Sequence, residues 1–469
     1  MLSPAVDTAA LASAQTDTET AYDPLAVDAY AEHLTEVNEV KDVIASEDIR
    51  NKQGMLLIKK GQPISRDMID RIVQVKLLRP LEDSIDIDDA LTPQRILDGI
   101  EDLVTDALRI PYEQYQLRRE IQHCCNAFFR YPILVQKLTV LSLQMPHEYK
   151  KSLCVACIGM LIALRIGMSP EERADLFIAA LIHDIGMLHI PRDIIDKQEG
   201  LTTEEWRAIQ GHVVIGQQIL KQIKGMSPSI ARAVLEHHEF CDGTGYPLGR
   251  FGADLSQQGQ IVGVVDCIFV ICNNKLIPKN IGVCHLLPIL QIDAHIYHQN
   301  VGNAMIQLLR ELDLPETHWI EPSDNARMMT EMIADAAFLG ESHAALTRMV
   351  EALPADHNPH DVHAARELIA HLDVLLRRSG ILDEGHFSEL QRLAGENADV
   401  RTDIEDTQLM LQELRWQLQR LTRILHAAAE NTRAPLPAPV CAALKQDLEA
   451  LPSLGTENPS GSEHKAVTV

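Results

Sequence analysis

A chain of 469 residues with only 4 % aromatics is long enough to bury several cores, packed mainly by Leu, Ile, Val, Ala and Met. The formal charge of −25 argues against a generic DNA- or RNA-binding surface, since no sustained basic stripe is available to collect phosphates. A small anionic ligand beside a bound cation remains compatible with that charge. No signal peptide and no membrane span of 18 apolar residues is expected, and the nine Cys form no repeating framework. A reducing cytoplasm fits these features best.

In chain order, residues 1–32 are rich in Ala, Thr, Asp and Ser and read as a flexible leader. Residues 33–90 carry short apolar strands broken at Asn51–Gly54 and at Gly61, followed by a short helix from Ser65, and predict a small α+β module. With no ligand cluster of its own, that module is expected to be a docking or sensory cap. From Thr92 the pattern turns mainly α. Residues 91–310 form one helical domain, in which Cys154 and Cys157 read as a packed thiol pair within an apolar helix. Residues 311–385 predict a helical extension whose His343, His357, His360, His363 and His371 are expected at the surface.

Between 386 and 431, Ile404, Thr407, Leu411, Leu414, Leu418, Leu421 and Leu425 alternate spacings of three and four. This heptad seam predicts a coiled coil that makes a homodimer; the alternative is a long helix laid on its own domain. Residues 432–469, rich in Pro, Ala, Ser and Gly, predict a disordered tail.

The chemistry concentrates between Ser169 and Asp266. Ser169-Pro170-Glu171-Glu172 opens a helix that buries Leu176, Phe177, Ala180 and Leu181 and delivers His183 and Asp184 at its end. A second capping box, Thr202 to Glu205, precedes the segment presenting His212, and Ser227–Glu236 leads to His237 and His238. Gly243, Gly245 and Pro247 then force a tight loop, and Asp266 closes an apolar run. Six imidazole and carboxylate groups in this pattern suit a divalent transition metal such as Fe, Mn or Zn, as one or two ions. Two ions would activate a water and clamp a phosphodiester oxygen.

Lys151 to Asp266 resembles the HD-GYP subgroup of the HD-domain phosphohydrolases, whose characterised members hydrolyse cyclic di-GMP. H-D-I-G-M-L-H-I-P starts at His183, L-T-x-E-E-W spans Leu201–Trp206, and His212–Gly216 stands at the H-P-x-x-G element. The signature H-H-E-x-x-D-G-x-G-Y-P is complete from His237 to Pro247. The resemblance implies a helical HD-type domain and a cyclic di-nucleotide ligand. It implies one metal held by His183, Asp184 and Asp266, and a second held by His212, His237 and His238 with Asp184 bridging as the catalytic carboxylate. It also implies a substrate pocket shaped by Asp242, Gly243, Gly245, Tyr246 and Pro247.

The departures are specific. Lys151 stands where the family has its first metal-binding His, with His147 the nearest imidazole. Met187 replaces the lysine that contacts substrate phosphate, and only Lys275 and Lys279 stand near the place of the basic residues after Asp266. The expectation is a metal-dependent cyclic di-GMP phosphodiesterase of impaired turnover. The alternative is a degenerate HD-GYP module that binds a nucleotide or a signalling protein partner and relays a signal through dimerisation.

Overall fold

The computed structural model describes residues 29–72, 75–197, 200–395 and 400–454. The expected leader lies outside the described residues up to residue 28, and from Ala29 the chain is helical. Helix α1 (Ala29–Val37) buries Tyr30, Leu34 and Val37 on one face. Strand β1 (Val43–Ala45) pairs antiparallel with β4 (Ile85–Ile87), and β2 (Ile49–Arg50) with β3 (Leu56–Ile58); helix α2 (Arg66–Ile72) lies between β3 and β4 in sequence. Asn51 shapes the tight turn, its side-chain oxygen accepting from the amides of Gln53 (3.1 Å) and Met55 (2.9 Å).

The central domain comprises α3 (Pro93–Glu101), α4 (Asp106–Gln114), α5 (Leu117–Phe128), α6 (Pro132–Gln144), α7 (Pro146–Arg165), α8 (Pro170–Ile182) and α9 (Arg192–Ile195). It continues with α10 (Thr203–Gln210), α11 (His212–Gln222), α12 (Pro228–Glu236), α13 (Gln257–Ile271), α14 (Leu286–Asp293) and α15 (Gln299–Glu311). Both expected capping boxes are formed reciprocally, Ser169 with Glu172 and Thr202 with Glu205. Helices α7, α8, α12 and α13 pack on one another and build the core that carries the site. The segment Gln257–Lys279, which contains α13, has by length and composition alone the apolarity of a membrane-crossing helix. Its apolarity is that of a core helix, with Ile261, Val262, Val264 and Val265 all buried.

The N-terminal module is joined to this domain through a buried cation. Lys137 Nζ, on α6, lies 2.9 Å from Glu82 Oε1, 3.0 Å from His189 Nε2 and 3.9 Å from the centre of the Tyr30 ring. His189 belongs to the H-D-I-G-M-L-H-I-P segment, so the module touches the motif five residues from Asp184.

The C-terminal region is a second helical bundle with its own core: α16 (Asn325–Glu351), α17 (His360–Ser379), α18 (Glu384–Gly395), α19 (Arg401–Glu430) and α20 (Ala438–Ala450). The heptad residues Ile404, Thr407, Leu411, Leu414, Leu418, Leu421 and Leu425 are buried there, with α19 packed against α16, α17 and α14 of the same chain. The expected coiled coil between two chains is therefore corrected to an internal packing seam. A bundle's inner face and a coiled-coil seam share the spacing of three and four, so periodicity alone does not separate them. Ala438–Ala450 form a helix where a disordered tail was expected, and residues 455–469 lie outside the described ones.

The histidines of this region also depart from a simple surface role. His371 stacks on His295 with ring centres 3.6 Å apart, His343 Nε2 lies 3.1 Å from Asp373, and His360 Nε2 donates to the carbonyl of Gly249 at 2.8 Å. The junction is further held by buried Glu405, which accepts from the amides of Trp319 (2.7 Å) and Ile320 (2.9 Å).

Because the seam is filled from within, Leu418→Ala is expected to cost ~2–5 kcal/mol through the cavity it leaves. Chemical denaturation is expected to show a lowered midpoint that does not move with protein concentration; a concentration-dependent midpoint would restore the intermolecular seam.

Candidate metal centre

Helix ends supply most of the centre. His183 and Asp184 follow the last residue of α8, His212 opens α11, and His237 and His238 follow α12. Asp266 comes from the middle of α13 and Lys151 from the first half of α7. The turn after Asp184 is pressed against the start of α11. A Cβ at Gly186 would lie 2.0 Å from the His212 carbonyl oxygen, so that approach admits only glycine.

Three imidazoles are oriented in the same way. Nδ1 of His183 meets the carbonyl of Ala180 at 2.8 Å, His212 that of Ile209 at 2.7 Å, and His237 that of Val234 at 2.8 Å. A carbonyl can only accept, so each Nδ1 carries the proton and each Nε2 faces the centre, the arrangement that metal-ligating histidines require. His212 Nε2 and His237 Nε2 stand 3.4 Å apart, and Asp184 Oδ1 lies 3.3 Å from the first and 3.8 Å from the second. Burial, together with the neighbouring histidines, holds His237 well below the ordinary imidazole range, and burial pushes His238 down to about 3. The His212 and His237 Nε2 atoms and Asp184 Oδ1 thus converge on one point from three sides. Ligands ~2.0–2.1 Å from a tetrahedral ion sit about 3.3–3.4 Å apart, which matches the two shorter spacings. Asp184, His212, His237 and His238 thus form one candidate cluster whose donor chemistry fits a divalent transition metal.

His183, Asp184 and Asp266 form a second candidate cluster, and here the fit is different. Lys151 Nζ lies 2.7 Å from Asp184 Oδ2, 3.1 Å from Asp266 Oδ1 and 2.8 Å from Glu148 Oε2. An ammonium has three donors, and three carboxylates face them. Burial works against the charged lysine, yet Asp184, Asp266 and Glu148 together hold it protonated, well above its ordinary range. Burial also opposes ionised Asp184, but His183 and Lys151 hold that carboxyl well below the usual range. Against its own burial, His183 is pushed up to about 10 by Asp184, whose Oδ2 lies 3.0 Å from its Nε2. Burial pushes Glu148 up to about 7 despite Lys151. The second cluster is therefore occupied by a cation of the chain itself. His147 does not join it and packs against the Phe269 ring at 5.3 Å.

The signature loop is held by hydrogen bonds and close backbone approaches. Glu239 accepts from the amides of Leu248 (2.6 Å) and Arg250 (2.9 Å), which fixes the loop's return. A Cβ at Gly245 would come within 2.4 Å of the His238 carbonyl oxygen, and Tyr246, preceding a cis proline at Pro247, stacks its ring on His238 at 4.7 Å. Of the five loop residues expected at the substrate, Gly245 and Tyr246 border the open cleft. Asp242, Gly243 and Pro247 do not. Asp242 is buried and is engaged by Thr244 and by Arg420 Nη2 at 2.8 Å. The cleft at the imidazoles encloses about 70 Å³ and is bordered by Met187, Trp206 and Lys151. Lys275 is spent on Glu413 at 3.4 Å, and neither it nor Lys279 borders this cleft. Sequence reading missed Glu148, which the spacing of three from Lys151 on one helix would have flagged, and Arg420, which lies 178 residues from its partner Asp242 and left no local signal.

Lys151→Met is expected to cost ~3–5 kcal/mol, because it leaves three buried carboxylates without their cation. Lys151→His is expected to raise metal content, measured on purified protein, from about one to about two equivalents. An unchanged metal content in Lys151→His would show that the ammonium is not what excludes the second ion.

The family model for an HD domain matches residues 137–279. The chain is 39 % identical over 121 residues to the 3'3'-cGAMP-specific phosphodiesterase 3 of Vibrio cholerae, covering 26 % of each protein. It is 32 % identical over 156 residues to a cyclic di-GMP phosphodiesterase of Thermotoga maritima, covering 32 % of this chain and 42 % of that one. With the cyclic di-GMP phosphodiesterase PdeB of Borreliella burgdorferi it shares 27 % identity over 186 residues, 40 % of this chain and 42 % of the relative. The matches span between about a quarter and two fifths of these relatives' lengths. With the H-D and G-Y-P segments built around one histidine cluster, residues 137–279 form an HD domain of HD-GYP-like phosphohydrolase type, related to cyclic di-GMP and cGAMP phosphodiesterases.

Proposed function

We propose that this protein is a metal-dependent phosphodiesterase of HD-GYP type that acts slowly on cyclic di-GMP, with one divalent ion and an internal lysine in place of the second. One observation carries the reading. Asp184, His212, His237 and His238 converge, the rings of His212 and His237 set by hydrogen bonds to backbone carbonyls, while Lys151 fills the neighbouring cluster. The bound ion, Fe, Mn or Zn, would supply Lewis acidity toward the phosphodiester and lower the pKa of a water.

The chain's own residues do the remaining work. Asp184 is ligand and catalytic carboxylate, its Oδ1 turned to the imidazoles and its Oδ2 to Lys151 and His183. Lys151 and protonated His183 offset the charge of Asp184 and Asp266 that a second ion would otherwise balance. With its donors spent on carboxylates, Lys151 does not clamp a phosphate oxygen as a second metal would. Met187 removes a further charge-assisted contact. Both changes predict low turnover and leave the four-ligand set intact. All nine cysteines are outside disulfides, which supports a reducing compartment such as the cytoplasm.

Purified full-length chain loaded with Mn²⁺ or Fe²⁺ is expected to convert cyclic di-GMP to linear product, with Asp184→Asn slower by about 10²-fold or more. Turnover unchanged in Asp184→Asn would remove the proposed centre. Met187, an apolar side chain bordering the cleft, favours a second reading: a module that binds the nucleotide and relays its presence to a protein partner. Saturable binding of cyclic di-GMP without product, at full metal occupancy, would select that reading.

A further inference from the structure

The cleft does not end at the imidazoles. Beyond His238 a second cavity of about 220 Å³ opens between the signature loop and α19. It shares Trp206, His238, Phe240 and Tyr246 with the inner cleft, so the two are continuous. The far wall consists of Trp416, Arg420 and Arg423. Spacings of four and three set these residues along one face of α19, while Leu414, Leu418, Leu421 and Leu425 fill the C-terminal core on another.

This wall is pinned in place. Arg420 pairs with Asp242 and hydrogen-bonds Thr244 Oγ1, both in the signature loop, and its Nη1 donates to Gln417 Oε1 at 2.7 Å. Gln417 in turn donates to Asp293 at 2.7 Å. The guanidinium of Arg420 lies 4.8 Å from the Trp416 ring centre and 5.4 Å from that of Phe240. Arg423 stands on the next turn at the exposed rim.

Two of the chain's three tryptophans and two guanidinium groups meet here, in a protein of net charge −25. Flat aromatic walls stack a nucleobase, and a rim guanidinium pairs with a phosphate. The volume is below the ~300–1,000 Å³ of a cleft that encloses a whole ligand, so the cavity suits one part of a larger molecule.

We propose that α19 completes the binding site: the cavity between Trp416, Arg423 and Tyr246 is a nucleobase-and-phosphate subsite that holds one half of a cyclic dinucleotide, while its scissile phosphodiester reaches the Asp184, His212, His237 and His238 cluster. The proposal rests on the dinucleotide reading above and makes the C-terminal bundle a contributor to affinity.

The test is titration calorimetry of cyclic di-GMP into the full-length chain in chelator, where turnover cannot occur. Trp416→Ala and Arg423→Glu are each expected to weaken binding about ten- to a hundredfold. Trp416→Phe keeps an aromatic wall and is expected to stay within about threefold, and Arg327→Glu, a charge reversal on α16, to bind as the parent. In the metal-loaded assay Arg423→Glu is expected to raise KM and leave kcat unchanged. Parent-like binding by both Trp416→Ala and Arg423→Glu overturns the subsite, even where hydrolysis is observed. Absence of binding by the parent chain overturns it as well. Trp416-dependent binding without hydrolysis by the parent supports the subsite and removes the phosphodiesterase reading instead.

Discussion

Lys151 lies within 3.1 Å of both Asp184 and Asp266, and the composition of the whole centre follows from that buried ion pair. Carboxylates this deeply buried need a cation, whether it comes from solution or from the chain. Once the chain provides one, the carboxylates are balanced without a second ion. The other candidate cluster is the outer group of Asp184, His212, His237 and His238, in which backbone carbonyls align the rings of His212 and His237.

The same centre is braced from both ends of the chain. The N-terminal module reaches it through Lys137, Glu82 and His189, close to the end of the H-D-I-G-M-L-H-I-P segment. The C-terminal bundle reaches it through Arg420, which holds Asp242 of the signature loop. Both links are charged groups that are almost fully buried, so neither module separates from the core without leaving a charge unpaired in a low-dielectric setting. This explains why α19 lies along the signature loop rather than projecting as a free rod, and it places Trp416 and Arg423 beside the cleft.

Much of this was legible in the residues. The mainly α architecture, the β2–β3 hairpin of the N-terminal module and the two capping boxes follow from local spacing and turn chemistry, which depend on a few neighbouring positions. The six candidate ligands stood out because imidazoles and carboxylates at the ends of apolar helices are costly without a partner. The heptad seam was read correctly as an apolar stripe, but its partner was not, because helices of the same chain and of a second chain present the same complementary surface. Asp242, Gly243 and Pro247 were grouped with the substrate since they belong to one motif, whereas burial against Arg420 and loop closure account for Asp242's place.

By itself, then, the sequence determined which chemistry the chain carries: a histidine and aspartate set of HD-GYP type, with a lysine and a methionine at two positions where the family has other residues. Only the tertiary structure decided what those substitutions do. Whether a lysine at residue 151 points to solvent, to a phosphate or into a carboxylate cage depends on Asp184 and Asp266, which come from two other helices, and no local pattern encodes their meeting with it. The same holds for α19, whose apolar stripe is local but whose burial, and with it the second wall of the cleft, results from long-range packing.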